Sequence, residues 1–262
     1  MSGEMSFLTL SGRRVEYRDV LPEQQASDVT LILQHDGLGC AATWRDIPDR
    51  LAKQTGCRII VPSRFGYGGS SACDLPRPLD FMQSEGKFIL PKLVDALNIG
   101  RHIVIGHSDG GSITLTYAGA TPRDGLMGIV TIAAHVFCEQ VCVDGIARTE
   151  AEFNSGPLKE ALARYHGDNV DCAFNGWAGA WQDPEFRNWN IEAFLSGVEV
   201  PALIIQGRQD EYGTLEQVDR IVAGIGRHAV PCIIEDCGHS PHREQPDTLI
   251  RDIVTFVQKL VA

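Results

Sequence analysis

Short apolar runs alternate with helix-period segments along almost the whole chain, and no other feature constrains the fold as strongly. Thr30–Gln34, Arg58–Val61, His102–Ile105, Gly128–Ala133, Ala202–Ile205 and Cys232–Ile234 read as short buried strands. Asp36-Gly37 ends the first and Pro62 stops the second. Between them lie helical patterns: one with Ile47, Leu51 and Ala52 on a face, then Phe81–Leu97 with Pro91 expected to kink it, Gly110–Ala120, Leu215–Val222 and Asp247–Leu260. Phe7–Leu10 and Arg14–Tyr17 read as an opening antiparallel pair around Ser11-Gly12. Strands that alternate with helices cannot be joined by tight hairpins. They predict an α/β chain: a mostly parallel twisted sheet with helices on both faces.

One stretch breaks the rhythm. From Ala133 to Ala202 no strand pattern appears, yet three of the four tryptophans lie there: Trp177, Trp181 and Trp189. A structureless loop of that length is rare in a compact domain. Arg148–Arg164 is expected to supply helices, with Pro157 opening the second. The division predicted is a core of residues 1–135 and 197–262 with a helical cap, residues 136–196, inserted between core strands. Binding clefts are largely apolar and aromatic, so Phe137, Trp177 and Trp181, together with His35, are the candidate pocket residues.

The run Gly106-His107-Ser108-Asp109-Gly110 sits between a predicted strand and a predicted helix. The five-residue pattern is common by chance; the context gives it meaning. A sharp strand-to-helix turn lifts the serine above the sheet edge, and a helix N-terminus leaves backbone N–H groups free. A serine nucleophile needs a base, and the base needs an orienting acid. His239, after the last strand, and Asp210, after the strand before it, fall at carboxyl ends of parallel strands, where sites in open α/β sheets form. His242 is the main rival base; Glu211 and Glu139 are rival acids. Donors for an oxyanion are expected from the N–H of Asp109 and from the loop His35–Gly39, with Leu38 favoured and Gly37 the alternative. His102, His166 and His228 read as surface or structural. A metal site from His239, His242 and Asp236, or from Cys138 and Cys142, lacks a convincing ligand set.

Composition narrows the classes. A net charge of −11 argues against nucleic acid as a partner. No apolar stretch is long enough to span a membrane, and Met1–Leu10 has neither the basic start nor the apolar core of a secretory signal. The eight cysteines show no C-x-x-C pairing and read as mostly reduced thiols of a cytoplasmic protein. The expected partner is a small-molecule substrate. No cofactor and no metal are required, there is no membrane partner, and a homodimer is compatible with the sequence.

Taken together, His35-Asp-Gly-Leu-Gly39, Ser63-Arg-Phe-Gly-Tyr-Gly-Gly-Ser70, Gly106-His-Ser-Asp-Gly-Gly111, Gly207-Arg-Gln-Asp210 and Gly238-His239 resemble the α/β-hydrolase superfamily from about Leu31 to the C-terminus. The resemblance implies the α/β-hydrolase fold. It also implies a cofactor-independent serine hydrolase acting on a carboxylic ester, thioester or lactone, with Ser108, His239 and Asp210 in the catalytic roles. Capped members of the superfamily also hydrolyse carbon–carbon bonds in vinylogous diketones, which is the alternative chemistry. A dehalogenase reading is weakened, because dehalogenases carry Asp where this chain has Ser108, and oxygen uptake would expose cofactor-independent oxygenation. A ligand-binding receptor that retains the triad is the non-enzymatic alternative. Two positions depart from the usual pattern: acidic Asp109 follows the serine, and the oxyanion loop reads His-Asp-Gly.

Overall fold

In the computed structural model, which describes residues 5–261, eight strands form one sheet in the order β1-β2-β4-β3-β5-β6-β7-β8. Residues 1–4 and Ala262, placed in the core by the sequence division, lie outside the described residues, as does the start of the Met1–Leu10 segment. The strands are β1 (Met5–Leu10), β2 (Arg13–Val20), β3 (Thr30–Gln34), β4 (Arg58–Pro62), β5 (His102–His107), β6 (Leu126–Ile132), β7 (Ala202–Gly207) and β8 (Ala229–Ile234). β1, β2 and β4 pair antiparallel; every pairing from β4 through β3 to β8 is parallel.

The helices are α1 (Ile47–Thr55), α2 (Phe81–Ser84), α3 (Leu90–Ala96), α4 (Asp109–Ala120), α5 (Gln140–Ser155), α6 (Pro157–His166), α7 (Val170–Gln182), α8 (Glu216–Ile225), α9 (Pro241–Glu244) and α10 (Pro246–Val261). The central strands are apolar at consecutive positions because both faces are covered. Leu31, Leu33, Ile103 and Ile105 pack toward Leu51 of α1 and Ile253 of α10. Ile32 and Val104 pack toward Ile113 of α4 and Ile221 of α8. The two-residue period of a strand thus feeds two separate apolar layers.

The segment Phe81–Leu97 departs from the single kinked helix that its pattern predicts. A wide π-type turn, Glu85–Ile89, separates α2 from α3, with the Leu90 N–H donating to the Glu85 carbonyl. Pro91 has no N–H to continue the ordinary ladder. Gly86 in this turn lies against the backbone of α4.

Between β6 and β7 the chain forms α5, α6 and α7, with Pro157 in the first turn of α6. The entry and exit of this insertion are sewn together: Ile191 N–H donates to the Val136 carbonyl at 2.8 Å, and Phe137 bridges Asn190. Its interior is aromatic, with Phe153 stacked on Phe174 and Phe186 on Trp189. Among the described residues no helix is long and apolar enough to cross a membrane.

Candidate active site

Four loops at the carboxyl edge of the sheet, after β3, β5, β7 and β8, converge on one point. After β5 the chain reverses at Ser108, whose φ of 54° and ψ of −119° lie in a region that non-glycine residues rarely occupy. The Ser108 carbonyl accepts from the N–H groups of Gly111 (2.8 Å) and Ser112 (3.1 Å), so α4 starts at once. The flanking glycines are needed for close approach. A Cβ at Gly106 would overlap the Gly110 carbonyl, and one at Gly110 would overlap the backbone of Gln34 and His35.

Ser108 Oγ donates to His239 Nε2 at 3.0 Å. His239 Nδ1–H donates to Asp210 Oδ1 and Oδ2 at 2.8 and 3.0 Å. Asp210 Oδ1 also accepts from the N–H groups of Tyr212 (2.9 Å) and Gly213 (3.1 Å). These two hydrogen bonds from the backbone fix the carboxylate, and the carboxylate fixes the tautomer that leaves Nε2 free to accept a proton. Burial alone would lower the pKa of His239; the charge and hydrogen bond of Asp210 outweigh it and hold it above 6.5. Burial would raise Asp210, and the facing imidazole keeps it below the usual value. His107 Nε2–H donates to the His239 carbonyl at 2.8 Å, which steadies the loop after β8.

The rivals are occupied elsewhere. Glu211 accepts from the backbone N–H of His239, not from its ring. Glu139 accepts from Thr214 and Gln217. His242 packs at a tilt against Trp44 and edge-on against His107, and burial drives its pKa down to about 3.

Ser108, Gly37, Leu38, Asp109, Trp177 and Trp181 all line one cavity of about 190 Å³. Among the described residues no acceptor is found for the backbone N–H groups of Gly37, Leu38 or Asp109. They remain available to a developing negative charge. Trp177 packs its indole directly on Gly37, where a Cβ would collide with the ring.

Two of the sequence-derived pocket residues lie outside this cavity. His35 is fully buried below the loop, with Nδ1–H donating to the Asp36 carbonyl (2.7 Å) and Nε2 accepting from the Arg64 N–H (3.0 Å). A side chain with both ring nitrogens engaged by backbone is a strut for the loop. Phe137 sits at the root of the insertion under the Arg220 guanidinium, 5.7 Å from its carbon.

Asp109 shows how its position is tolerated. Its Oδ1 accepts from Trp181 Nε1–H at 3.1 Å, which ties the start of α4 to α7. Burial pushes its carboxyl pKa up, partly countered by the Arg64 charge and by the Trp181 bond. The side chain thus joins the turn to the helix above it.

Sequence reading misses two residues that hold the loop after β3. Arg64 donates to the carbonyls of His35 and Asp36. His166, at the end of α6, accepts from Gly68 N–H (3.0 Å) and donates from Nε2 to the Leu38 carbonyl (2.9 Å). Both contacts join segments far apart in the chain, so no local pattern announces them. Because the Leu38 carbonyl and the Gly39 side of its peptide are pinned by His166, the adjacent Leu38 N–H is held in place. His166→Ala is therefore expected to lower kcat by about tenfold, with KM changing much less, and to lower the thermal midpoint because the Gly68 N–H and the Leu38 carbonyl lose their partner. Steady-state kinetics on any turned-over ester checks this.

The comparisons with known proteins agree with this architecture. A model described as the alpha/beta hydrolase family matches residues 31–252. The 2-hydroxy-6-oxo-6-phenylhexa-2,4-dienoate hydrolase of Burkholderia cepacia is 26% identical over 87% of this chain and 87% of that protein. The 2-hydroxy-6-oxononadienedioate/2-hydroxy-6-oxononatrienedioate hydrolase of Paraburkholderia xenovorans (strain LB400) is 27% identical over 89% of this chain and 88% of that protein. Among solved structures, proline iminopeptidase from Mycobacterium smegmatis superposes with a TM-score of 0.74 at 20% identity, covering 98% of both chains. The family match runs from β3 to α10, beyond His239, and on that ground this chain belongs to the alpha/beta hydrolase family.

Proposed function

We propose that the protein is a cofactor-independent serine hydrolase that cleaves a carboxylic ester, thioester or lactone through an acyl-enzyme. The observation that carries this reading is the unbroken hydrogen-bonded series Ser108–His239–Asp210 opening into a cavity. Ser108 Oγ attacks the carbonyl as His239 Nε2 takes its proton, and Asp210 stabilises the imidazolium. The N–H groups of Asp109 and Leu38 receive the oxyanion. His239 then gives the proton to the departing oxygen or sulfur, activates water and frees the acid. Residues 136–196 act as the cap, and Trp177 and Trp181 from α7 form part of the substrate wall.

Carbon–carbon bond hydrolysis is the second reading, favoured by the activities for which the two dienoate hydrolases are named. One feature of the cavity argues for the ester. Asp36 lines it with a side chain 30% exposed, and its nearest charged-group partner is His107 Nδ1 at 3.9 Å. Burial lowers the His107 pKa; burial would raise Asp36, but the charges of the neighbouring histidines and of Arg64 hold its carboxyl below the usual value, so it faces the cavity as an anion. A substrate carboxylate beside Asp36 would be repelled, whereas Arg243 lines another part of the same cavity. Matched p-nitrophenyl esters with neutral and carboxylate-ended acyl chains are expected to differ by about tenfold in kcat/KM, the neutral one being preferred. Product analysis across esters, lactones, thioesters and a ring-cleavage dienoate tests the reading as a whole. An alcohol or thiol plus an acid supports it; turnover of the dienoate alone into two carbonyl-bearing fragments replaces it with the second.

A further inference from the structure

We propose that Cys73 and Cys172 form a reversible disulfide that fastens α7 to the core loop following β4. The two sulfurs stand 3.1 Å apart although the residues are 99 positions apart in the chain. Both side chains are half-buried, within reach of a small reagent, whereas Cys40, Cys57, Cys142 and Cys237 are buried. Among the described residues no other two cysteine sulfurs are hydrogen-bonded to each other.

The pair is chemically asymmetric. Arg77 Nη2 donates to Cys73 Sγ at 3.0 Å, so this sulfur faces a cationic donor. Cys172 instead donates its S–H to the Cys73 carbonyl at 3.5 Å, and its sulfur accepts from the Cys73 N–H at 3.3 Å. Burial and the neighbouring sulfur push the Cys172 thiol pKa up. Cys73 is therefore the attacking sulfur and Cys172 the resolving one.

With a low-molecular-weight disulfide as oxidant, the Cys73 thiolate attacks one of its sulfurs and releases the other half as a thiolate. Cys172 then loses its proton, attacks Cys73 Sγ in the mixed disulfide and expels the second half. Two protein thiols and one small disulfide become one protein disulfide and two small thiols.

The location gives the bond a consequence. Cys172 lies in the first turn of α7, whose later turns carry Trp177 against Gly37 and Trp181 against Asp109. Arg77 also packs beside Gly176 of the same helix. A covalent tie here restrains the wall of the cavity relative to its floor, so substrate entry slows.

The test uses the full chain treated with glutathione disulfide, then alkylated and mapped by mass spectrometry. The expected result is a linked Cys73–Cys172 peptide, two fewer titratable thiols and a thermal midpoint raised by several degrees, because a closed loop of about 100 residues restricts the unfolded chain. Dithiothreitol reverses all three. Cys172→Ser stops at a mixed disulfide on Cys73, and Cys73→Ser leaves Cys172 largely unmodified. Where an ester is turned over, kcat/KM of the oxidised protein falls about fivefold, and neither variant shows the fall. The bond itself is read without any substrate, so its absence is distinguishable from failure of the proposed reaction. Wild-type protein that stops at the mixed disulfide, or that links other cysteines under the same treatment, overturns the proposal.

Discussion

Asp210→Asn is expected to leave the fold intact and to lower kcat about 10,000-fold. The Oδ1 of an asparagine can still accept from Tyr212 and Gly213, so the turn after β7 keeps its two backbone bonds. Its amide then faces His239 Nδ1 as a donor where a carboxylate accepted. That favours the tautomer with the proton on Nε2, which no longer accepts from Ser108. The pH profile carries a second signature. In the native protein His239 is held above 6.5 by Asp210 against the opposing effect of burial. The imidazole is charged, and useless as a base, below that pKa, so kcat/KM falls as pH drops through a value above 6.5. Without the carboxylate the two largest influences opposing burial are gone and only the lesser charges of Glu211 and Asp36 remain, so the acid limb of the residual activity moves to lower pH. Rates measured from about pH 5 to 9 separate this from a simple loss of folding. An unchanged limb would show that another group sets it.

The second large effect comes from sterics. Gly106→Ala places a methyl group into the Gly110 carbonyl and Thr114 Oγ1, at the crossing of β5 and α4. Backbone on both sides cannot move without displacing Ser108. A loss of about 3 kcal/mol is expected, with the thermal midpoint lowered by roughly 10 °C. Activity falls even at temperatures where the variant is folded. Gly179→Ala supplies the control: it lies at an exposed position of α7, a Cβ there meets nothing within 4 Å, and it should be neutral or slightly stabilising. Urea or thermal unfolding of the two variants checks both outcomes. Equal stability would mean that the tight approach at Gly106 is not real.

How much of this was legible in the chain follows from which interactions are local. The strands from Thr30 to Ile234 and the helices between them are written in short apolar periods, and strand-to-helix alternation leaves a parallel sheet as the consistent solution. Ser108, Asp210 and His239 were legible because each follows a strand of that sheet, and topology alone brings those ends together. The pocket was harder to read. Trp177 and Trp181 face the cavity, but Trp189 points away and donates to Gln83 of α2, and nothing in the spacing distinguishes them. His35 and Phe137 were misplaced for the same reason: position near a strand end does not say whether a side chain faces the cavity or the core. His166, Arg64 and the Cys73–Cys172 contact depend on where α6 and α7 settle against loops far away in sequence. The wide turn at Glu85–Ile89 reflects the packing of Gly86 on α4, which a helical period cannot encode.

The central claim is that Ser108 is an activated nucleophile. A fluorophosphonate probe tests it without knowledge of the substrate, since it phosphonylates a serine only where a base and oxyanion donors are assembled. Peptide mapping of the labelled full chain is expected to find one adduct per protein, on Ser108, with labelling abolished in Ser108→Ala and strongly slowed in His239→Ala. Folded protein that takes up no probe, or that carries the adduct on another residue, would contradict the account.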